Sequence, residues 1–147
     1  RCWRWIAYYS IKNNKYKIWY VNYDGNVRYV ESNDLESFSD PINIKINDFN
    51  KNVWHGEMQY VEGKYVFIFM IKYGLYYTES NDGINFTKPK LIETKLDSLN
   101  GTINTIYKTS FIMSSDHIEL FIPYRVNYSW KLYYIKESKK EFYNNLK

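Results

Sequence analysis

Most of the stretch YYTESNDGINFTKP, residues 76–89, occurs twice in the chain, and this repetition indicates how the chain folds. An earlier copy, YVESNDLESFSDP, runs from Tyr29 to Pro41, and its counterpart runs from Tyr77 to Pro89, 48 residues later. Seven of the thirteen positions are identical: Tyr, Glu, Ser, Asn, Asp, Phe and Pro. A repeat of this kind indicates that the chain is built from copies of one structural unit.

The similarity extends beyond the quoted turn. The segment KYKIWYVN before the first copy corresponds to KYVFIFMI before the second. A third, more divergent copy aligns Tyr107 with Trp54 and Ile118 with Tyr65, and it ends in WKLYYIKES. The period therefore predicts three units within one domain of residues 1–147, at about residues 1–50, 51–101 and 102–147.

Each unit has the pattern of short strands joined by turns. Strand-length apolar runs separated by Gly, Asn and Asp are the usual signal of β-hairpins. The polar tail ESKKEFYNNLK is the one stretch with some helical character. The sequence predicts an all-β fold of four-stranded antiparallel meanders, and a unit of about 48 residues is the size of a β-propeller blade. In the second unit the predicted strands are Trp54–Val61, Tyr65–Ile71, Leu75–Ser80 and Lys88–Ile92.

The quoted stretch itself predicts a turn rather than a catalytic motif. Gly83 supplies a residue that tolerates positive φ, and Asp82 is of the type that hydrogen-bonds the local backbone. Pro89 suits the first residue of an outer strand, where a missing N–H group does no harm. In the first copy Leu35 stands in place of Gly83, so that turn must be formed differently.

The composition is that of a globular protein with an excess of aromatic residues, which make up 20% of the chain. The net charge of +4 is spread over scattered basic residues, so no nucleic-acid partner is expected. No apolar run is long enough to predict a membrane helix. The single cysteine, Cys2, and the histidines His55 and His117 predict no metal site, and no cofactor motif is present. The cellular compartment is not indicated.

Two segments carry a resemblance to known enzymes. LYYTESNDGINFTKPKLI resembles the strand–turn–strand of the five-bladed propellers of glycoside hydrolase families 43 and 32 and their relatives. WHGEMQYVEGKYVFIF is similar to the opening of a blade in the same proteins, with a Trp-His pair, a carboxylate and a hairpin. The resemblance implies a carbohydrate-active propeller protein with an oligo- or polysaccharide as its ligand.

Three units are fewer than the four to eight blades of typical closed propellers. Two apolar blade faces would then be left without a neighbour, and such faces mark interfaces. Because the sequence also opens abruptly at Arg1, we expect a piece of a longer protein whose remaining blades complete the ring. The alternative is a homo-oligomer that completes it.

The first strand of each blade lines the central channel of a propeller, so its opening residues are the candidates for ligand contact. The three equivalent openings begin at Trp5, Trp54 and Tyr107, and only the second contains a carboxylate, Glu57. Strand alternation places His55 on the same face as Glu57, with Trp54 on the other face. The resemblance implies that Glu57 and His55 fall where the glycosidases have active-site residues.

Glycoside hydrolysis requires two carboxylates on either side of the bond. The inner strands offer Glu57 alone, so we expect this chain by itself not to be a competent glycosidase, and whether the whole protein is an enzyme stays open. Glu57 is either the catalytic residue or a hydrogen-bonded structural carboxylate. His55 is either a sugar ligand or a packing histidine.

Further candidates for substrate binding are Trp54, Lys108 and Arg125. The two cations could bind an anionic group of a ligand, or they could be solvated or blade-bridging side chains. Aromatic rings can stack on sugars, although most of them are expected in the core between blades. Two functions remain: a glycoside hydrolase-like protein that acts on a glycan, or a non-catalytic propeller module that binds glycan or protein.

Overall fold

The computed structural model describes residues 4–10, 14–71, 74–94, 96 and 103–147. Arg1, Cys2 and the expected start of the third unit near residue 102 lie outside the described residues. Within those residues the chain forms strands and one short helix. They are β1 (Arg4–Ser10), β2 (Lys15–Val21), β3 (Val27–Ser32), β4 (Ile42–Asn43), β5 (Lys45–Ile46), β6 (His55–Val61), β7 (Lys64–Ile71), β8 (Gly74–Ser80), β9 (Asn85–Phe86), β10 (Lys90–Leu91), β11 (Ile103–Ile106), β12 (Ser110–Met113), β13 (His117–Val126), β14 (Ser129–Ser138) and α1 (Lys139–Asn144).

The strands form three antiparallel sheets that follow one another along the chain. The first sheet is the meander β1–β2–β3–β4, and the second is the meander β6–β7–β8–β10. In the third sheet β11 and β12 pair with successive parts of β13, and β14 lies on the other side of β13. A short parallel pair, β5 with β9, joins the first two units. The prediction of an all-β fold is confirmed.

The second sheet lies between the other two, and β7 shows why. Its sequence KYVFIFMI is a nearly continuous apolar run, and six successive residues, Tyr65 to Met70, are buried. One face of the sheet packs on the first sheet in a core that includes Trp19, Phe67 and Phe86. The other face packs on the third sheet in a core that includes Ile68 and Leu120. Alternating side chains of one strand thus stabilise two separate interfaces.

Two hydrogen-bonded contacts fix how neighbouring sheets meet. The Trp19 indole Nε1 donates to the carbonyl of Gly83 at 2.7 Å, so the quoted turn of the second unit sits against the first sheet. The Gln59 side chain donates to the Phe111 carbonyl and accepts from the Met113 amide, at 3.1 Å for the latter. As a result β6 of the second sheet lies between β1 of the first sheet and β12 of the third sheet.

The third unit departs from the expected four-stranded meander. Where the other units turn towards a fourth strand, Ser138 caps helix α1: its side chain accepts from the Glu141 amide, and the Glu141 carboxylate accepts from the Ser138 amide. This reciprocal capping box favours a helix at this point. The helix buries Phe142 against Tyr77 of the second sheet, with a ring separation of 5.5 Å.

One equivalence inferred from the repeat is also wrong. Tyr20 and Phe69 occupy matching places in the first and second sheets, and their partners are Trp5 and Gly56. Trp5 is therefore the counterpart of Gly56, not of Trp54. The reason is the longer connection between the first two strands of the first sheet, which shifts the register by two residues.

Candidate functional site

The candidate site starts where β6 begins. The Trp54 amide donates to the Met70 carbonyl at 2.9 Å, which aligns the chain for the strand that opens at His55. His55, Glu57 and Gln59 alternate along the same face of β6, and Gln59 fixes that face against β12. The His55 side chain is buried, with 2% of its surface exposed.

A break in the neighbouring strand forms the second part of the site. β11 ends at Ile106 and β12 starts at Ser110, and between them Lys108 adopts a positive φ of 44°. The Tyr107 amide still donates to the Pro123 carbonyl at 2.9 Å, so the break stays attached to β13. Since the pairing is interrupted here, the Tyr107 ring can leave the sheet plane and reach His55.

Two partly exposed aromatic rings contact the buried imidazole, and a third ring contacts one of the two. The His55 ring lies 4.5 Å from Tyr107 and 5.8 Å from Trp54, and Tyr107 lies 5.8 Å from Trp130. The exposed fractions are 48% for Trp54, 38% for Tyr107 and 53% for Trp130. We refer to Trp54, His55, Tyr107 and Trp130 as the His55 cluster. It offers apolar rings to solvent directly above a buried polar group.

Arg125 lies at one edge of the His55 cluster. It pairs with Trp130 across the β13–β14 hairpin, whose turn residues Asn127 and Tyr128 both have positive φ, at 47° and 65°. The Arg125 guanidinium carbon lies 5.3 Å from the Tyr128 ring centroid, a cation–π distance. The site thus carries a positive charge next to its aromatic rings.

Several buried polar atoms at this site have no hydrogen-bond partner among the described residues. They are both ring nitrogens of His55, the hydroxyl of Thr109 and Nε of Arg125. A buried polar group without a partner costs about 1–3 kcal/mol, and each such group in a folded protein calls for an explanation. Of these atoms, the two His55 nitrogens belong to a ring that contacts Trp54 and Tyr107, so a small polar group that enters the cluster could satisfy them.

The structure brings together most of the residues that the sequence singled out. Trp54 and His55 share the cluster, Arg125 lies at its edge, and Lys108 is exposed on the strand break beside it. Glu57 is half-buried on the His55 face of β6, and no hydrogen bond or ion pair to it is found within the described ranges. Trp54 was expected on the face opposite His55, but it precedes the strand, so its ring can contact the imidazole.

Sequence reasoning missed two members of the site, Thr109 and Trp130, and it named Tyr107 as the opening of an inner strand without giving its side chain a role. A signal for Trp130 was present: a two-residue turn at Asn127–Tyr128 predicts that Arg125 and Trp130 face each other. For Thr109 the signal was strand alternation, since it is buried like Phe111 and Met113, two and four residues later.

Asp82, the aspartate of the quoted turn, accepts hydrogen bonds from the local backbone. Partial desolvation raises the pKa of Asp82, but hydrogen bonds from the amide and side chain of Asn85, the amide of Ile84 and the hydroxyl of Ser80 outweigh it. The net effect holds the pKa of this carboxylate well below its usual range. Asp82 therefore acts as a structural acceptor, as the turn pattern predicted.

In the part of the chain that the structure describes, no three His, Cys, Asp or Glu side chains gather as metal ligands would. None of the described helices is both long and apolar enough to cross a membrane. No protein-family model matches the sequence, and no curated protein is significantly similar to it. What the His55 cluster can bind therefore follows from its own chemistry.

Proposed function

We propose that this chain binds an oligo- or polysaccharide at the His55 cluster, as part of a carbohydrate-binding β-propeller protein. The observation that carries the proposal is a row of three partly exposed aromatic rings beside the buried imidazole of His55, which has no hydrogen-bond partner among the described residues. Sugar rings have the complementary chemistry, since they combine an apolar C–H face with hydroxyl groups that donate and accept hydrogen bonds.

Each part of the site has a role in this proposal. Trp54, Tyr107 and Trp130 provide flat apolar surfaces on which pyranose rings stack. The imidazole of His55 donates to one sugar hydroxyl through one nitrogen and accepts from another through the other nitrogen. Arg125 donates to a hydroxyl or to a carboxylate of an acidic sugar.

The propeller part of the proposal is supported by the order of the sheets. Three sheets follow one another face to face, and β6 lies between β1 and β12 as neighbouring inner strands do. The turn of the second unit meets the first sheet through the Trp19–Gly83 hydrogen bond. Radial repetition of such a contact generates a propeller.

Binding, rather than hydrolysis, is proposed for this chain. A glycosidase needs a second carboxylate roughly 5–9.5 Å from the first. Glu57 is the only acidic side chain that the described inner strands β6 and β12 carry on this side. We therefore assign Glu57 to the edge of the binding site, where a carboxylate accepts hydrogen bonds from sugar hydroxyls.

The test is calorimetric titration of the purified chain with soluble oligosaccharides chosen from a glycan array. Because loss of a central aromatic contact commonly costs more than about 1.4 kcal/mol, Trp54→Ala and Tyr107→Ala should each weaken binding at least about tenfold. Tyr23→Ala is the matched control, since Tyr23 is 79% exposed and lies outside the cluster.

Two results would overturn the proposal. One is the absence of any glycan that the Trp54→Ala variant binds more weakly than the wild-type chain does. The other is binding of a single-stranded oligonucleotide at the cluster in preference to every glycan, since aromatic rings beside cations also suit unstacked bases. Glu57→Gln in the same titration tests whether Glu57 contributes to binding at the edge of the site. An assay for release of reducing sugar tests whether the chain hydrolyses the glycan.

A further inference from the structure

We propose that the glycan bound at the His55 cluster is acidic, and that Arg125 binds its carboxylate or sulfate group. Because this specifies the ligand of that same site, the proposal rests on the glycan binding proposed above. Carboxylate and sulfate share the relevant chemistry, a negative charge spread over oxygens that accept hydrogen bonds from a guanidinium. Lys108, which follows Tyr107 in the chain, supplies a second positive charge at the site.

Arg125 differs from Arg28, the other arginine whose side chain the structure describes. Both side chains are partly exposed, and the Nε atom of each is buried without a partner among the described residues. Arg28, however, donates through Nη2 to the carboxylate of Asp24 at 3.3 Å. No hydrogen bond or ion pair to Arg125 is found within the described ranges. A cation that is partly withdrawn from water is stabilised by an anion in contact with it, and an acidic ligand supplies one.

The hairpin turn between β13 and β14 orients the Arg125 guanidinium. Tyr128 has a positive φ of 65°, and its ring centroid lies 5.3 Å from the guanidinium carbon. Tyr128 is 86% exposed, so the ring and the cation contact each other at the surface and not in a core. This cation–π contact restricts the Arg125 side chain before a ligand binds, which lowers the conformational entropy lost on binding.

The strand register places the guanidinium next to the aromatic rings. Arg125 pairs with Trp130 across β13 and β14, so the two side chains project from the same face of the sheet. The Trp130 ring lies 5.8 Å from Tyr107, which in turn contacts His55. A sugar that stacks on Trp130 therefore has its substituents beside Arg125. A carboxylate or sulfate substituent compensates the charge of Arg125, whereas a neutral sugar leaves it without an anion.

The charges around the site also favour an acidic ligand. Lys108 is exposed on the strand break, and no ion pair to it is found in the described part of the chain. Lys108 and Arg125 are two cations, and Glu57 is the only acidic side chain that the described inner strands β6 and β12 carry on this side. The excess of positive charge attracts an acidic glycan, and salt weakens this attraction.

A glycan array followed by calorimetric titration tests the proposal. The array carries uronate, sialylated and sulfated oligosaccharides, each beside a neutral counterpart in which the carboxylate is reduced or the acidic group removed. We expect the acidic members to bind at least about tenfold more tightly than their counterparts, and this ratio to fall when the salt concentration is raised. The carboxylated and sulfated members distinguish the two acidic groups from each other.

The matched variants for the titration are Arg125→Gln and Arg28→Gln. In Arg125→Gln the ratio of acidic to neutral affinity should fall to nearly one. Lys108→Gln should lower the ratio by about threefold, as is typical of an exposed charge. Arg28→Gln should keep the wild-type ratio, since Arg28 belongs to the first sheet and already has Asp24 as its partner. Circular dichroism and thermal unfolding establish that each variant is folded.

Two results would overturn the acidic ligand and leave the proposed function in place. One is that the neutral counterparts bind as tightly as the acidic members, and the other is that Arg125→Gln keeps the wild-type ratio, provided that Trp54→Ala still weakens binding. If no glycan binds, both proposals are overturned. Binding of a single-stranded oligonucleotide in preference to every acidic glycan also overturns both.

Discussion

The two copies of the repeated turn have the same internal bonding. In each, a serine hydroxyl accepts from the amide three residues later, at 2.8 Å from Leu35 in the first copy and 2.9 Å from Gly83 in the second. In each, an aspartate, Asp34 or Asp82, accepts from the amides two and three residues later, at 2.7–2.8 Å. The local network therefore follows from the shared Ser-Asn-Asp sequence.

The surroundings of the two copies differ. Gly83 is buried against Trp19, and Phe86 is 1% exposed in the core between the first two sheets. The corresponding Leu35 and Phe38 are 47% and 46% exposed. The comparison shows that the motif determines the shape of the turn, whereas a neighbouring sheet determines whether the turn contributes to a core.

The largest expected difference between the copies is at the phenylalanines. Phe86→Ala should lower the free energy of unfolding by about 3–5 kcal/mol, because it leaves a cavity beside Phe67. Phe38→Ala should lower it by about 1 kcal/mol or less, since that ring is only partly buried. Urea denaturation of both variants measures the difference. Equal losses would show that the two copies have equivalent surroundings in solution.

A smaller difference is expected at the residue that follows Asp in each turn. Gly83 has φ of +79°, and a Cβ there would lie 2.7 Å from the Trp19 ring. Gly83→Ala should therefore cost about 2–4 kcal/mol, from left-handed strain and overpacking. Leu35 has φ of +64° at an open position, so Leu35→Gly relieves strain and should change stability by less than about 1 kcal/mol. A larger loss in Leu35→Gly than in Gly83→Ala would contradict the comparison.

The smallest expected effect is on the pH dependence of stability. The pKa of Asp82 is lower in the folded chain than the usual unfolded value near 3.9. Its stabilising effect is therefore complete above about pH 5, where the unfolded carboxyl group is also ionised, and it is lost as the pH falls through the folded pKa. Asp82→Asn should flatten the fall in the urea midpoint between about pH 5 and pH 2.5.

Asp34→Asn is the matched variant for this measurement. Hydrogen bonds from the amides of Ser37 and Glu36 also lower the pKa of Asp34, so its replacement should flatten the same curve, but less. An unchanged curve for Asp82→Asn would mean that its turn bonds contribute nothing to the acid sensitivity of the fold.

Much of the fold could be predicted from the sequence. The strands of the second unit were placed within one residue at each end, apart from the last, which is Lys90–Leu91 instead of Lys88–Ile92. Strand alternation and turn residues are local signals, so they can be recognised from residues that are neighbours in the sequence. The third unit was predicted less well, because Ser138 suits both a turn and a helix cap. The capping box that Ser138 forms with Glu141 favours the helix.

The site was predicted in part. His55 and Trp54 stand at the opening of a strand and could be found by their place in the repeat. Thr109 was missed although it alternates with the buried residues Phe111 and Met113, because alternation shows that a residue is buried but not which groups it lies beside. Trp130 required the register of a hairpin whose turn, Asn127–Tyr128, lacks the usual glycine.

The repeated unit, its strands and the bonding of its turns follow from the order of the residues, because they depend on residues within a few positions of one another. Which copy of the turn is buried, and which aromatic rings lie near His55, depends instead on contacts between distant parts of the chain. Those features depend on which sheet lies beside which. The turn from Tyr77 to Pro89 is part of a core because Trp19 donates a hydrogen bond to the Gly83 carbonyl. Trp19 lies 64 residues before Gly83 in the chain.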